Sequence, residues 1–175
     1  MDNYLLFAKD DKAESLSEDF GFKKTIFLDD IAIVRSESRK ELLKACSRAK
    51  AAGKIVVFRA LTEEMLRFAL EKSQVDIVLG AEIIHSKDSM HYLRSGYDQV
   101  FSKIARDKGK KIGFSFSDIL NSKNRGRVVA RMRANLRLCK RYKVDCVFSN
   151  FSLNVSEMRS LKDLGAFLRI LRKNG

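Results

Sequence analysis

No proline and no tryptophan occur in the 175 residues. Average usage of about 5% would give a chain of this length about nine prolines. Its turns must therefore come from Gly, Asn, Asp and Ser. There are only two histidines, His85 and His91, too few for the clustered ligands of a metal-dependent hydrolase. The three cysteines, Cys46, Cys139 and Cys146, show no C-x-x-C spacing. An odd count excludes a simple disulfide framework, and Cys139 and Cys146 on apolar faces read as reduced core thiols rather than ligands or nucleophiles. No apolar run approaches the roughly 20 residues that span a bilayer, and Met1-Asp2-Asn3 does not begin a signal peptide. The expectation is a cytoplasmic protein with no membrane partner. Neither G-x-x-x-x-G-K-[ST] nor G-x-G-x-x-G is present, so nothing supports phosphate binding by those loops.

A further gap lies in the charge. From Ile119 to Val144 there is no acidic residue, while nine Lys or Arg residues fall in that stretch. The whole chain carries 35 basic against 22 acidic residues, a net charge of +13. Residues 1–86 hold 14 basic and 15 acidic residues, and residues 87–175 hold 21 and 7, so the excess belongs to the second half. Such a surface attracts phosphates in a salt-dependent way. At 100° per residue, Val128, Val129, Met132, Leu136, Cys139 and Tyr142 share one helical face. Arg127, Arg131, Arg133, Arg137, Lys140 and Arg141 are assigned to the other, with Leu138 among them. The spacing predicts an amphipathic helix that packs one side and presents guanidinium groups, which suit phosphate, on the other. A merely solvated helix face is the alternative.

With 45% hydrophobic residues the chain should fold, and its length suits one domain, residues 1–175. Strand-like runs at 4–8, 25–28, 31–34, 55–59, 75–79, 111–116 and 145–148 alternate with helical patterns. Helices are expected at 15–20, at 39–52 behind a Ser38/Glu41 capping box, after the Thr62 cap, at 97–108, through the basic stretch, and at 161–172 behind Ser160. About seven short strands alternating with helices, without domain-like linkers, indicate βα units around a parallel sheet, covered on both faces or closed into a barrel. A full eight-unit barrel takes about 250 residues, so a barrel here would be shortened or incomplete. Glu82, His85 and Asp88 follow one strand and are the only candidate metal group for an enzyme reading, a metal-dependent phosphoesterase barrel. Phe114, Phe116, Phe148 and Phe151 read as core, with Phe151 able to stack on a base if exposed. Physical chemistry alone leads to an α/β nucleic-acid-binding domain without evident catalytic residues. A general RNA-binding protein fits the same reading.

Residues 94–105, Arg-Ser-Gly-Tyr-Asp-Gln-Val-Phe-Ser-Lys-Ile-Ala, resemble the Gly-x-Asp/Asn-His-Val-Leu-x-Lys-Leu-Ala segment of the archaeal RNase P protein component 3 family, the counterpart of a eukaryotic RNase P subunit. The likeness continues through Phe114–Leu120, the basic helix to Val144, Phe148-Ser149-Asn150 and Glu157–Leu164. Upstream, Arg67–Glu71 and Val75–Leu79 are similar to the family's Arg-x-Ala-x-Glu and Val-Asp-x-Leu segments. Leu161 stands in place of the family's proline, Gly113 where many members carry Glu, and Asn150-Phe151-Ser152 in place of a Gly-Ala turn. The first half is shorter than typical members by about one βα segment.

The resemblance implies a TIM-barrel-like (β/α) fold without metal-binding histidines. It implies a protein subunit of ribonuclease P, which removes the 5′ leader from precursor tRNA. The catalytic site and its Mg²⁺ would belong to the RNA subunit, so this chain is expected to supply no catalytic residue, metal ligand or cofactor. Expected partners are the RNase P RNA, precursor tRNA, the component 2 protein and the other protein subunits. RNA contacts are expected from Arg127, Arg131, Arg133, Arg137, Lys140 and Arg141, from Lys103, Arg106, Lys110 and Lys111 on a neighbouring surface, and from Arg94 and Arg159 in family-like motifs.

Overall fold

The computed structural model describes residues 1–173. Seven strands run in chain order: β1 (Asn3–Tyr4), β2 (Thr25–Ile26), β3 (Ile31–Val34), β4 (Ile55–Arg59), β5 (Ile77–Leu79), β6 (Lys111–Ser115) and β7 (Cys146–Ser149). Seven α-helices accompany them: α1 (Asp11–Asp19), α2 (Arg39–Ala51), α3 (Glu63–Lys72), α4 (Gln99–Asp107), α5 (Phe116–Leu120), α6 (Arg125–Tyr142) and α7 (Leu161–Arg172). Strands β3-β4-β5-β6-β7 form one parallel sheet in sequence order, and β1 pairs with β2 in a second parallel pair. A parallel bridge between Leu5 and Ser152 joins the two sets. The Leu6 N–H donates to the Ser152 carbonyl at 2.8 Å, and the Tyr4 N–H to Ser149 Oγ at 2.9 Å. Among the described residues no ladder joins β2 to β3, so the fold is an α/β arrangement of parallel strands rather than a closed ring of ladders.

Strand side chains alternate with a period of two, and both directions are buried. Val56, Phe58, Val78, Ile112, Phe114 and Phe148 point toward the helices and join the main core with Leu66, Met132 and Leu164. Val57, Ile77, Leu79 and Ile31 point the other way and meet Tyr4, Leu6, Ile26 and Phe151 in a second cluster. Burial on both faces explains why the strands read as continuous apolar runs. Gly113 faces this second cluster from β6. A Cβ there would come within 2.4 Å of Leu79 Cδ2 and 2.8 Å of Ile77 Cγ2. Gly113→Ala is therefore expected to overpack the interior and cost about 1–3 kcal/mol, measurable as a lower thermal midpoint. A variant as stable as the native chain would show that Leu79 and Ile77 have room to yield.

Helix boundaries follow local chemistry. Ser38 Oγ accepts the Glu41 N–H at 3.4 Å, but Glu41 takes a hydrogen bond from Ser36 Oγ at 2.8 Å instead of completing the box. Asp98 Oδ1 accepts the Phe101 N–H at 2.8 Å, so α4 starts at Gln99 and not at Tyr97. The strand expected over 111–116 stops at Ser115, whose Oγ accepts the Asp118 N–H at 3.1 Å and starts α5. The Ser115-x-x-Asp118 spacing is itself a capping signature. β5 begins two residues later than expected, although Asp76 just before it already bonds through its backbone to Val56 and Lys111 at 2.9 and 3.0 Å. The Asp76 carboxylate accepts the Val56 N–H at 2.7 Å and pairs with Lys50.

Candidate nucleic-acid interface

The basic helix α6 runs for 18 residues. Asn124 caps it by accepting the Arg127 N–H at 3.1 Å, and Lys143 ends it with a left-handed backbone, φ 56°. Its inner face is the expected one. Val128, Met132, Leu136 and Cys139 are buried, and half-buried Tyr142 donates its hydroxyl to Gln99 Oε1 of α4 at 3.2 Å. Arg137, Lys140 and Arg141 are exposed on the outer side, with the Arg141 guanidinium 5.7 Å from the Tyr142 ring centre.

Arg131 departs from the expectation. It is 1% exposed and does not belong to the outer face. Arg127, Arg131 and Asn135 are spaced by four, so they form a stripe beside the apolar face. That stripe meets the long β5–α4 connection. Arg131 Nε and Nη2 donate to Asp88 Oδ1 at 2.9 and 2.7 Å. Its Nη1 donates to the Glu82 and His85 carbonyls at 2.9 and 2.6 Å. All three guanidinium nitrogens are thus engaged internally. Asn135 Nδ2 donates to the Ser95 carbonyl at 3.1 Å, and Arg127 donates to the Ser86 carbonyl with Asp88 Oδ2 at 3.5 Å. Partial burial pushes the Asp88 carboxyl up. The hydrogen bonds from Arg131 and the Arg94 N–H, with the charges of Arg131 and Arg127, outweigh it and hold Asp88 below its ordinary range. Sequence reading missed this clamp because Asp88 lies 43 residues from Arg131.

The remaining candidates divide between two edges of the sheet. Lys110 and Lys111 stand where β6 begins, on the edge reached by the C-terminal end of α6, which carries Arg137, Lys140 and Arg141. Lys110 is half-buried, Lys111 exposed. On α4, Lys103 and Arg106 are exposed, and Arg106 lies 2.7 Å from Asp107. Arg133 is half-buried, and its buried Nε has no partner among the described residues. Arg94 and Arg159 lie on loops that follow β5 and β7, at the opposite edge. Arg94 is exposed. Arg159 is tied to Asn150 through its backbone at 2.9 and 3.0 Å, and its Nη1 donates to the Met158 carbonyl at 2.7 Å.

The enzyme candidates do not converge. Glu82 is fully buried with neither carboxylate oxygen partnered among the described residues. His85 Nε2 lies 2.5 Å from Glu63 Oε1, and Asp88 belongs to Arg131. Among the described residues no group of three or more His, Cys, Asp or Glu could hold a metal ion. Burial, with the Asp118 carboxylate nearby, pushes the Glu82 carboxyl up to about 8. Asp118 is raised by burial as well, despite its ion pair with Arg59. Phe151 is no base platform. It is buried and stacks on Tyr4 at 5.1 Å between ring centres.

Residues 23–172 match the family described as RNase P subunit p30. The chain belongs to the RNase P subunit p30 family. Ribonuclease P protein component 3 of Methanocaldococcus jannaschii is 29% identical to this member over 140 residues, covering 79% of this chain and 57% of the relative. The Methanosarcina mazei protein of the same name is 28% identical over 118 residues, covering 66% and 46%. The chain thus spans about half the length of the curated relatives it matches. A chain in the cryo-EM structure of archaeal ribonuclease P with mature tRNA superposes with a TM-score of 0.74 at 22% identity, over 97% of this chain and 74% of that one. An amidohydrolase crystal structure shares the fold more distantly, with a TM-score of 0.59 at 11% identity over 93% of this chain and 41% of that one. No described helix of this p30-family chain is long and apolar enough to cross a membrane.

Proposed function

We propose that this chain is a protein subunit of ribonuclease P, supporting removal of the 5′ leader of precursor tRNA by a catalytic RNA. The observation that carries the reading is the family match over residues 23–172. Its partners are the RNase P RNA, the component 2 protein and the other subunits, with precursor tRNA as substrate and Mg²⁺ at the RNA. The seven strands and the shared inner cluster support an incomplete (β/α) barrel; we take residues 1–175 as one domain and the cytoplasm as its place of action. Arg137, Lys140, Arg141, Lys110 and Lys111 contact RNA, with Lys103 and Arg106 beside them. Arg133, Arg94, Arg127 and Arg159 contribute less because of their burial or their place at the far edge. The contacts go to backbone and shape, since RNA helices offer little base readout in their deep groove.

Reconstitution tests this. Cleavage of precursor tRNA is measured with an archaeal RNase P RNA, component 2 and the other subunits, with and without this chain. Omitting it is expected to slow cleavage by at least about tenfold, ~1.4 kcal/mol in the barrier. An unchanged rate would sink the proposal.

A further inference from the structure

The sheet edge where strands begin carries more than the end of α6. Three clefts open along it. The first, of about 780 Å³, lies between the ends of α6 and α7 and is walled by Arg137, Lys140, Arg141 and Arg172 over a floor that includes Leu136 and Val144. The second, of about 420 Å³, shares Leu136, Cys146 and Arg172 with the first and adds Lys111. The third, of about 350 Å³, shares Tyr4 and Lys111 with the second and adds Lys50, Lys54 and Lys110. Shared walls make the three one path, which passes the first residues of β4, β6 and β7. Eight basic side chains line it against Asp2, Asp76 and Asp145. Of these acids, Asp76 pairs with Lys50 at 2.5 Å, so the two offset each other, and it accepts the Val56 N–H; seven basic side chains then face Asp2 and Asp145. Partial burial, together with the nearby Lys50 and Lys108 charges, holds Lys110 below the ordinary lysine range, although Asp76 opposes this.

We propose that this path is a track for the phosphodiester backbone of an RNA segment, entering beside α6 and α7 and leaving between Lys54 and Lys50 of the first half. The inference rests on the RNA-binding reading above and assigns it a surface. A single anion would need one concave cation cluster, whereas cations spread along joined clefts match a chain of regularly spaced phosphates. The two aromatic rings along the path, Tyr4 and Phe148, are both buried, Tyr4 against Phe151 and Phe148 against Phe167, so neither offers a face to a base and recognition rests on charge. The Lys50–Lys54 segment, Lys111 and Arg172 lie far apart in sequence, and only the fold brings them into line.

The test uses the full chain and an archaeal RNase P RNA as probe, with binding followed across a salt series. Each lost phosphate contact lowers the slope of log affinity against log salt by about 0.7–0.9. The triple variant Lys54→Gln, Lys111→Gln, Arg172→Gln is expected to lower the slope by about 2–3. The control Lys12→Gln, Lys40→Gln, Lys87→Gln removes the same charge away from the clefts and is expected to change it by less than one contact. Melting curves confirm that both variants fold, and the three single variants replace the triple if it does not. Equal losses in track and control variants would overturn the track and leave only bulk charge. RNA binding unaffected by the track variant would overturn it while the subunit reading stands, as would a loss confined to component 2 binding. If the native chain fails to bind RNA at all, the underlying reading falls too.

Discussion

Exchanging Arg131 for methionine is expected to cost about 3–5 kcal/mol of folding stability, the range for removing one member of a buried ion pair. The Arg131 side chain is 2% exposed but Asp88 is 26% exposed, so water reaches the stranded carboxylate in part and the lower end of that range is expected. Asp88 would keep only the more distant Arg127 and the Arg94 N–H, and the Glu82 and His85 carbonyls would lose their donor. Those groups all belong to the connection between β5 and α4, so the loss should loosen that segment first. Urea unfolding reads the stability, and amide exchange of residues 82–95 reads the loosening. Arg131→Lys restores the charge without the planar fork and should recover only part of the loss. A result within about 1 kcal/mol of the native chain, with a reduced salt slope for RNA binding, would return Arg131 to the role its sequence position suggests.

The second large effect is a dependence on pH set by Glu82. Its carboxyl is raised from the ordinary 4.5 to about 8 by burial and by Asp118. The folded state therefore holds this proton more tightly than the unfolded chain does. Stability from this group is complete below about pH 4.5 and falls as pH rises toward 8, at about 1.36 kcal/mol per unit. Across that window the loss is on the order of 4 kcal/mol. Glu82→Gln keeps the shape and cannot ionise. At about pH 5 it should match the native protein or fall slightly below it, and at about pH 9 it should be more stable by several kcal/mol. Unfolding curves of both proteins across that range read the difference, in which shifts of the other carboxyls, such as the lowered Asp88 and Glu157, cancel. A difference that does not change with pH would mean that Glu82 has solvent or a cation to stabilise its charge.

Much of the architecture was legible because its signals are local. Strand β4, helix α7 and the caps at Ser38, Thr62 and Ser160 need only a few neighbouring residues to specify them, and they stand at or within a residue of the expected places. The apolar stripe of α6 was legible for the same reason, since helical geometry fixes it. The illegible parts all depend on partners distant in sequence. Arg131 looked like its neighbours until Asp88 was brought across from another loop. Glu82 gave no sign of its burial, because a single acid after a strand is ordinary. Lys50, Lys54 and Arg172 are unremarkable singly, and their alignment exists only once β4, β6 and β7 lie side by side. Phe151 was legible as core and is buried, although its stacking partner Tyr4 lies far away in sequence.

The docking of residues 3–6 onto residues 149–152 also orders events in time. Asn3 Oδ1 accepts a hydrogen bond from Asn150 Nδ2 across 147 positions of chain. On a ribosome the first strand emerges long before the atoms that hold it. Strands β3 to β7 can pair one after another as they appear, each with a neighbour made shortly before. β1 and β2 have each other but no seat until β7 and Ser152 exist. Closing so long a span carries a larger entropic cost than any of the sequential pairings, although that cost grows only logarithmically with length. Assembly of this unit is therefore expected to finish with β1 and β2, inserted last as the piece that seals the inner cluster.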